Sequence, residues 1–303
     1  VTLSRVATCP DPTDVRLIGR MAAEFKVTIM VATGTFLRMW GTSRYIHPLM
    51  FEHVRCIFAG AEKIREDIRN LYRTKFKLEI FEGFGCTETT PVASVNTKDF
   101  LLDDYKTVVV GNKPGTVGVP MPGCQFRIVD PDTLEELPLG TDGLILIGGA
   151  QIMKGYLNDP VRTENAIAMF NGRRWYKTGD KGHIDEDGFL TIVDRYSRFA
   201  KLGGEMVSLG AVDFKISESP LFEDIDHIAV PVPDGAKGEK IVLLYSGDKS
   251  EDEIKTMLRQ IGLPPLMVPG AVLKLDELPK LGSGKFDVQT GKKIARERLG
   301  ISV

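Results

Sequence analysis

Three short apolar runs, each followed by a glycine-containing turn, constrain this chain more than any other feature. Residues 27–32 (VTIMVA), 54–58 (VRCIF) and 78–81 (LEIF) are rich in β-branched and aromatic side chains. That is the pattern of strands buried in a parallel sheet. Thr33-Gly34-Thr35 leads from the first run into a helical stretch through Trp40, and Ala59-Gly60-Ala61 leads from the second into an amphipathic helix over residues 62–72. The third runs into Gly83-Phe84-Gly85-Cys86-Thr87-Glu88. Strand, loop, helix, strand predicts a doubly wound α/β sheet, whose ligands sit at the carboxyl ends of its strands. Gly60-Ala61-Glu62 and Gly83-to-Glu88 both fall at such ends.

The pattern changes near Lys113-Pro114-Gly115. Strands predicted over residues 125–129, 143–147 and 189–193 are broken by Gly, Pro and Asp, with Glu186-Asp187-Gly188 as one of the turns. This predicts an antiparallel sheet or a small barrel-like unit. Beyond Arg195 the mix becomes α+β: strands at 228–232 and 240–245, then a helix over 250–261 capped by Ser250. The expected organisation is part of a large α/β domain over 1–112, its β-rich subdomain over 113–197, and a mobile α+β domain over 198–303.

A length of 303 residues, 43% hydrophobic and 26% charged, suits a protein with real cores. The net charge of −2, with both signs interspersed, leaves no electrostatic footprint for nucleic acid. Cys9, Cys56, Cys86 and Cys124 are scattered without metal spacing, as in reduced cytosolic chains. No apolar run reaches the roughly 18–20 residues of a spanning helix.

Four stretches carry chemistry. In the first, Phe84 offers a ring to stack on a planar base, Thr87 a hydroxyl for a phosphate oxygen, and Glu88 an oxygen ligand for Mg²⁺. The bland alternative is a tight βα turn with Glu88 in solvent. In Trp175-Tyr176-Lys177-Thr178-Gly179-Asp180 a carboxylate follows a glycine turn and could accept both hydroxyls of a ribose; a hairpin turn with an Asx-type bond is the alternative. Asp194-Arg195 and residues 199–207 add basic groups and a Gly-Gly loop, or else form a charged linker. Finally, Gly282-Ser283-Gly284-Lys285 is a flexible arm carrying one ammonium group, able to reach a site built elsewhere in the protein.

In this order, Gly83-to-Glu88, Tyr176-to-Asp180, Asp194-Arg195 with the Lys201-to-Glu205 loop, and Gly282-to-Lys285 resemble the signature motifs of the adenylate-forming superfamily. That superfamily includes acyl-CoA synthetases, luciferases and peptide-synthetase adenylation domains. A narrower resemblance, carried by residues 198–209 and 281–287 and fitted by 33–36 and 60–63, is to the acyl-[acyl-carrier-protein] synthetase half of bacterial bifunctional enzymes. Those enzymes also acylate 2-acylglycerophosphoethanolamine, a phospholipid acyltransferase activity.

The resemblance implies that a fatty acid and ATP give acyl-adenylate and pyrophosphate, after which a phosphopantetheine thiol of acyl carrier protein takes the acyl group. A fatty acyl-CoA ligase of the same superfamily is the alternative, and a non-catalytic module binding nucleotide or carrier protein is a second. The resemblance implies Phe84 on adenine, Glu88 on Mg²⁺, Asp180 on the ribose, Arg195 on ribose or phosphate, and Lys285 on the carboxylate and α-phosphate. Gly60 and Ala61 would line the adenine and acyl pocket, Arg198 would be the hinge, and Lys201, Gly203, Gly204 and Glu205 would form the loop of the thiolation state.

The departures shape further expectations. The family's Ser/Thr/Gly-rich phosphate loop belongs upstream of Val27 and is absent. The chain is therefore expected to be the C-terminal portion of a longer parent and inactive alone, with a sheet edge and apolar surface exposed. Phe84 stands where Tyr is commoner, Arg198 where Asp is frequent, and Ser197 where a basic residue is frequent. The expected location is the cytoplasm, with membrane association at the inner face only through parts absent from this chain.

Overall fold

The computed structural model of the protein describes residues 6–235, 238–280 and 286–301. The chain divides into two compact units, residues 1–178 with 182–192 and residues 179–181 with 193–303.

The first unit opens with α1 (Val15–Glu24), β1 (Ile29–Ala32), α2 (Gly34–Thr42), β2 (Cys56–Ala59), α3 (Glu66–Lys75) and β3 (Ile80–Phe84). The three strands are parallel, with Ile29 opposite Cys56 and Ile57 opposite Ile80. Asp14 and Thr33 accept backbone N–H groups at the starts of α1 and α2. The helix α3 lacks such a cap, but Glu66 and Asp67 in its first turn and Arg73 and Lys75 in its last complement its dipole. Leu37, Trp40, Ile57, Tyr72 and Ile80 fill the core beneath these elements, and the Tyr72 hydroxyl donates to the Leu37 carbonyl at 2.9 Å.

Two expectations need correction here. The run at 27–32 was expected to be buried, yet β1 is the edge of its sheet and leaves Ile29 and Val31 exposed, Val31 at 76%. Its apolar character comes from one buried face and one open one. The helix expected over 62–72 starts at Glu66, because the preceding residues are tied elsewhere. Ala61 takes the left-handed conformation at φ 74°, Glu62 accepts from the Thr35 N–H at 2.7 Å, and the Ile64 N–H donates to Glu82.

The sheet continues antiparallel through β4 (Ser94–Val95) and, after a separate ribbon of β5 (Phe100–Leu101) and β6 (Val108–Val109), through β7 (Val119–Pro120). A second sheet comprises β8 (Cys124–Val129), β9 (Gly143–Gly149), β10 (Ile167–Phe170), β11 (Arg173–Ile184) and β12 (Leu190–Arg195), with α4 (Pro160–Ala166) before β10. Its order is β10-β11-β9-β8, with β12 on β11. Of the two forms expected over 113–197, the pairings among the described residues give the antiparallel sheet and no closure into a barrel. Ile128, Ile145, Ile147 and Leu190 form its core.

The second unit contains β13 (Phe199–Leu202), β14 (Glu205–Ser208), α5 (Leu209–Ser217), β15 (Asp226–Asp234), β16 (Gly238–Ser246), α6 (Glu251–Ile261), β17 (Ala271–Lys274) and α7 (Val288–Arg298). The long β15–β16 ladder sits between two cores. Ala229, Ile241, Leu243 and Tyr245 face α5 and α6, whereas Ile228, Val230, Val242 and Leu244 face α7. Burial on both faces explains why these strands read as continuous apolar runs. Ser250 and Glu253 form a reciprocal capping box at the start of α6. The division between units falls at Ile192/Val193, with residues 179–181 on the second side.

Candidate functional site

In the first unit the carboxyl ends of β2 and β3 lie side by side, because Ala59 pairs with Glu82. That register brings Gly60 and Ala61 next to the turn that leaves β3 at Gly83 and Phe84. The buried Glu82 supports both ends: it accepts the Ile64 N–H and pairs with Arg69 at 2.9 Å. Burial pushes the Glu82 carboxyl up, against the pull of the Ile64 N–H and of Arg69. The pair over-determines the loop at residues 60–65, which is how a left-handed alanine persists there.

The turn after β3 is closed on itself. The Cys86 N–H donates to Thr89 Oγ1 at 3.0 Å, and the Thr89 hydroxyl reaches the Cys86 and Pro91 carbonyls. Gly85 has no alternative here, since a β-carbon would lie 1.9 Å from the Pro91 carbonyl oxygen. Phe84 is half-buried against the core around Ala93 and Cys124, Thr87 is exposed, and Glu88 lies on the short 3-10 turn Thr87–Thr89.

Glu88 does not stand in solvent. Its Oε1 accepts the Tyr156 hydroxyl at 2.7 Å, and its carbonyl accepts the Met153 N–H at 2.8 Å. Burial works against the carboxylate, but Tyr156, the turn's own backbone, Cys86 and the Arg162 charge outweigh it and hold Glu88 below the usual range. Burial, reinforced by the charges of Cys86 and Glu88, pushes the Tyr176 phenol far up, so it stays a neutral neighbour. Among the described residues no three His, Cys, Asp or Glu side chains group as metal ligands. A single ionised carboxylate suits a cation such as Mg²⁺, which keeps waters and takes further oxygens from substrate phosphates.

The second unit holds the remaining predicted residues. Asp180, on β11, has a side chain only 8% exposed and accepts Arg195 Nε at 3.0 Å, while the Arg195 side chain is 62% exposed. The neighbouring Asp194 accepts three donors: the Arg195 N–H at 2.7 Å, the Ser208 hydroxyl at 2.6 Å and the Gly210 N–H at 2.8 Å. It thereby ties the end of β12 to the start of α5. Arg198 lies in the turn Tyr196–Arg198 and pairs with the half-buried Asp213 of α5, which also accepts the Ala229 N–H at 2.6 Å. Burial pushes Asp213 up to about 6, against the pull of Arg198 and His227. Gly203 and Gly204, at φ 59° and 96°, make the two-residue turn of the β13–β14 hairpin, with Leu202 opposite Glu205. The Lys201 N–H donates to Glu239 at 2.6 Å. Lys285 lies outside the described residues.

Sequence reasoning missed Tyr156, Arg162, Glu82 and Arg69. An aromatic residue between Gly155 and Asn158 in a polar loop was the available hint for Tyr156. Its pairing with a carboxylate 68 residues earlier is a tertiary fact.

A parallel α/β sheet whose strand ends carry a self-closed glycine turn and an oriented carboxylate defines a ligand-binding unit of the doubly wound class. Within that class the chain belongs to the family of AMP-binding enzymes, which residues 4–157 match, and so to the adenylate-forming enzymes. It is 30% identical over 280 residues to 4-coumarate--CoA ligase 1 of Glycine max, covering 90% of this chain and 91% of that sequence. It is 29% identical over 279 residues to a long-chain-fatty-acid--CoA ligase of Escherichia coli O6:H1, covering 91% of this chain and 46% of the relative. The fold is that of ATP-bound MatB from Rhodopseudomonas palustris, with a TM-score of 0.76 at 24% identity over 94% of this chain and 54% of that one. The chain thus spans about half the length of the latter two.

Proposed function

We propose that this chain carries the adenosine- and cation-binding part of an acid–thiol ligase. Such an enzyme joins a carboxylic acid to ATP, releasing pyrophosphate, and then passes the acyl group from the adenylate to a thiol, releasing AMP. The observation that carries this reading is the ionised, oriented Glu88 beside the joined ends of β2 and β3. Membership of the AMP-binding family supports it.

In this reading Gly60 and Ala61 floor the adenine pocket, and Phe84 offers its ring to the base. Thr87, exposed at the head of its turn, donates to a phosphate. Glu88 would hold Mg²⁺, whose positive charge offsets that of the triphosphate. Asp180, held by Arg195, would accept the ribose hydroxyls, and Lys285 would meet the α-phosphate. Arg198 would serve as a hinge ahead of a mobile domain that turns the Lys201–Glu205 hairpin toward the thiol.

The acid is a fatty acid, in line with the long-chain ligase relative. Two acceptors stand. Coenzyme A is favoured by the names of the relatives, whereas acyl carrier protein rests on residues 198–209 and 281–287.

The test is calorimetric titration of the chain with AMP and with a non-hydrolysable acyl-adenylate analogue, wild type against Phe84→Ala. Base stacking on an aromatic ring contributes about 1–3 kcal/mol, so AMP should bind wild type at least about fivefold more tightly. Equal affinities would remove Phe84 from the pocket, and no binding of either ligand would refute the reading. Competition between coenzyme A and carrier protein in the longer enzyme decides the acceptor.

A further inference from the structure

We propose that Tyr156 is a positioning residue for Glu88, and that the segment from Gln151 to Thr163 is built to deliver it. The inference rests on the reading of Glu88 as a cation ligand. A glutamate on a three-residue 3-10 turn has three free side-chain torsions, and fixing them opposes binding. Here the Tyr156 hydroxyl holds Oε1 at 2.7 Å, so a cation would meet the carboxylate through its other oxygen, with the rotamer already chosen.

Several neighbours of Tyr156 fix its place, and the Tyr176 phenol is a further hydrogen-bonding neighbour. The Tyr156 N–H donates to Thr163 Oγ1 at 2.8 Å, and the Thr163 hydroxyl in turn donates to the Asp159 carbonyl at 2.9 Å. Asp159 also caps α4, accepting the Arg162 N–H at 3.0 Å, and this sets the Arg162 guanidinium 4.0 Å from the centre of the Tyr156 ring. Two staples fasten the segment to the Glu88 turn: Met153 N–H to the Glu88 carbonyl at 2.8 Å, and the Thr90 hydroxyl to the Gln151 carbonyl at 2.9 Å. Five hydrogen bonds and the Arg162 guanidinium over the ring thus fix the backbone and ring of Tyr156 and the turn that carries its acceptor. A tyrosine needed only for packing would not need its ring and its backbone fixed as well.

The test uses this chain with four forms: wild type, Tyr156→Phe, Glu88→Gln and the double variant. Affinities are measured by calorimetry for ATP with Mg²⁺ and for AMP without it. Tyr156→Phe should weaken Mg²⁺–ATP binding by about three- to tenfold, the range of one hydrogen bond, and leave Mg²⁺-free AMP binding unchanged. In the Glu88→Gln background it should add nothing, because a residue acting only through its partner has no independent effect. Additive losses in the double variant, or an equal loss of AMP affinity, would overturn the positioning role while leaving the functional reading intact. Absence of binding by every form refutes the functional reading and this role with it.

Discussion

Replacing Gly85 by alanine tests whether the turn after β3 is built as described. The added β-carbon would lie 1.9 Å from the Pro91 carbonyl oxygen and 2.9 Å from Val92 Cα, all backbone atoms that no rotamer can move aside. Reaching a tolerable separation requires the two strands of the turn to part by about 1 Å or more, of the order of the shifts seen in overpacked sites. Such a shift moves the Pro91 carbonyl that the Thr89 hydroxyl bonds at 3.2 Å, and with it the turn that carries Glu88. Overpacking of this kind destabilises by about 1–3 kcal/mol, which for a unit of this size lowers the melting temperature by roughly 2–4 °C per kcal/mol. Thermal unfolding followed by circular dichroism should show that drop, and AMP affinity should fall with it. A melting temperature within a degree of wild type, together with unchanged AMP binding, would refute the geometry.

Two further substitutions probe the supports of the site. Asp194→Ala leaves the Ser208 hydroxyl and the Gly210 N–H without their acceptor, and urea unfolding should show a loss of about 2–6 kcal/mol at roughly 1–3 kcal/mol per orphaned group. Arg69→Met strands the Glu82 carboxylate and should cost about 3–5 kcal/mol at neutral pH. Glu82 already sits above the usual carboxylate range, so the folded state holds its proton more tightly than the unfolded chain does. The deficit should therefore shrink as pH falls from about 7 to about 5, and a melting-temperature difference that stays constant or grows would contradict this.

The parallel strands were legible because burial and β-branched composition coincide at residues 54–58 and 78–81. The run at 27–32 misled, since an apolar strand reads the same whether a neighbour covers it or not. The start of α3 was hidden because Glu62, an ordinary first-turn acid, spends its carboxylate on Thr35. The Ser250 cap was readable because capping is local, needing only residues three apart. The turn at 83–88 could be singled out from its glycines and carboxylate, but not the reason Glu88 stays oriented. That reason lies in residues 151–163, which enter only through tertiary packing. Arg198 likewise shows as a charge in the sequence, whereas its partner Asp213 is brought close by α5.

The two-sided burial of β15 and β16 has a consequence for the order in which the second unit acquires its structure during synthesis. Their pairing, from Asp226 opposite Ser246 to Asp234 opposite Gly238, is wholly local, and a hairpin of this kind forms in about 1–10 μs once its residues are available. One of its faces finds α5 already made and needs only α6, which follows directly. The other waits for α7, whose residues 288–298 follow well after the hairpin in the chain. At about 5–20 residues per second, the ribosome takes roughly 3–10 s to travel from Ser246 to the end of that helix. Throughout that interval Ile228, Val230, Val242 and Leu244 lie bare on a finished ribbon. The second unit is therefore most exposed to misassociation until α7 has been made, and that helix is what ends the exposure.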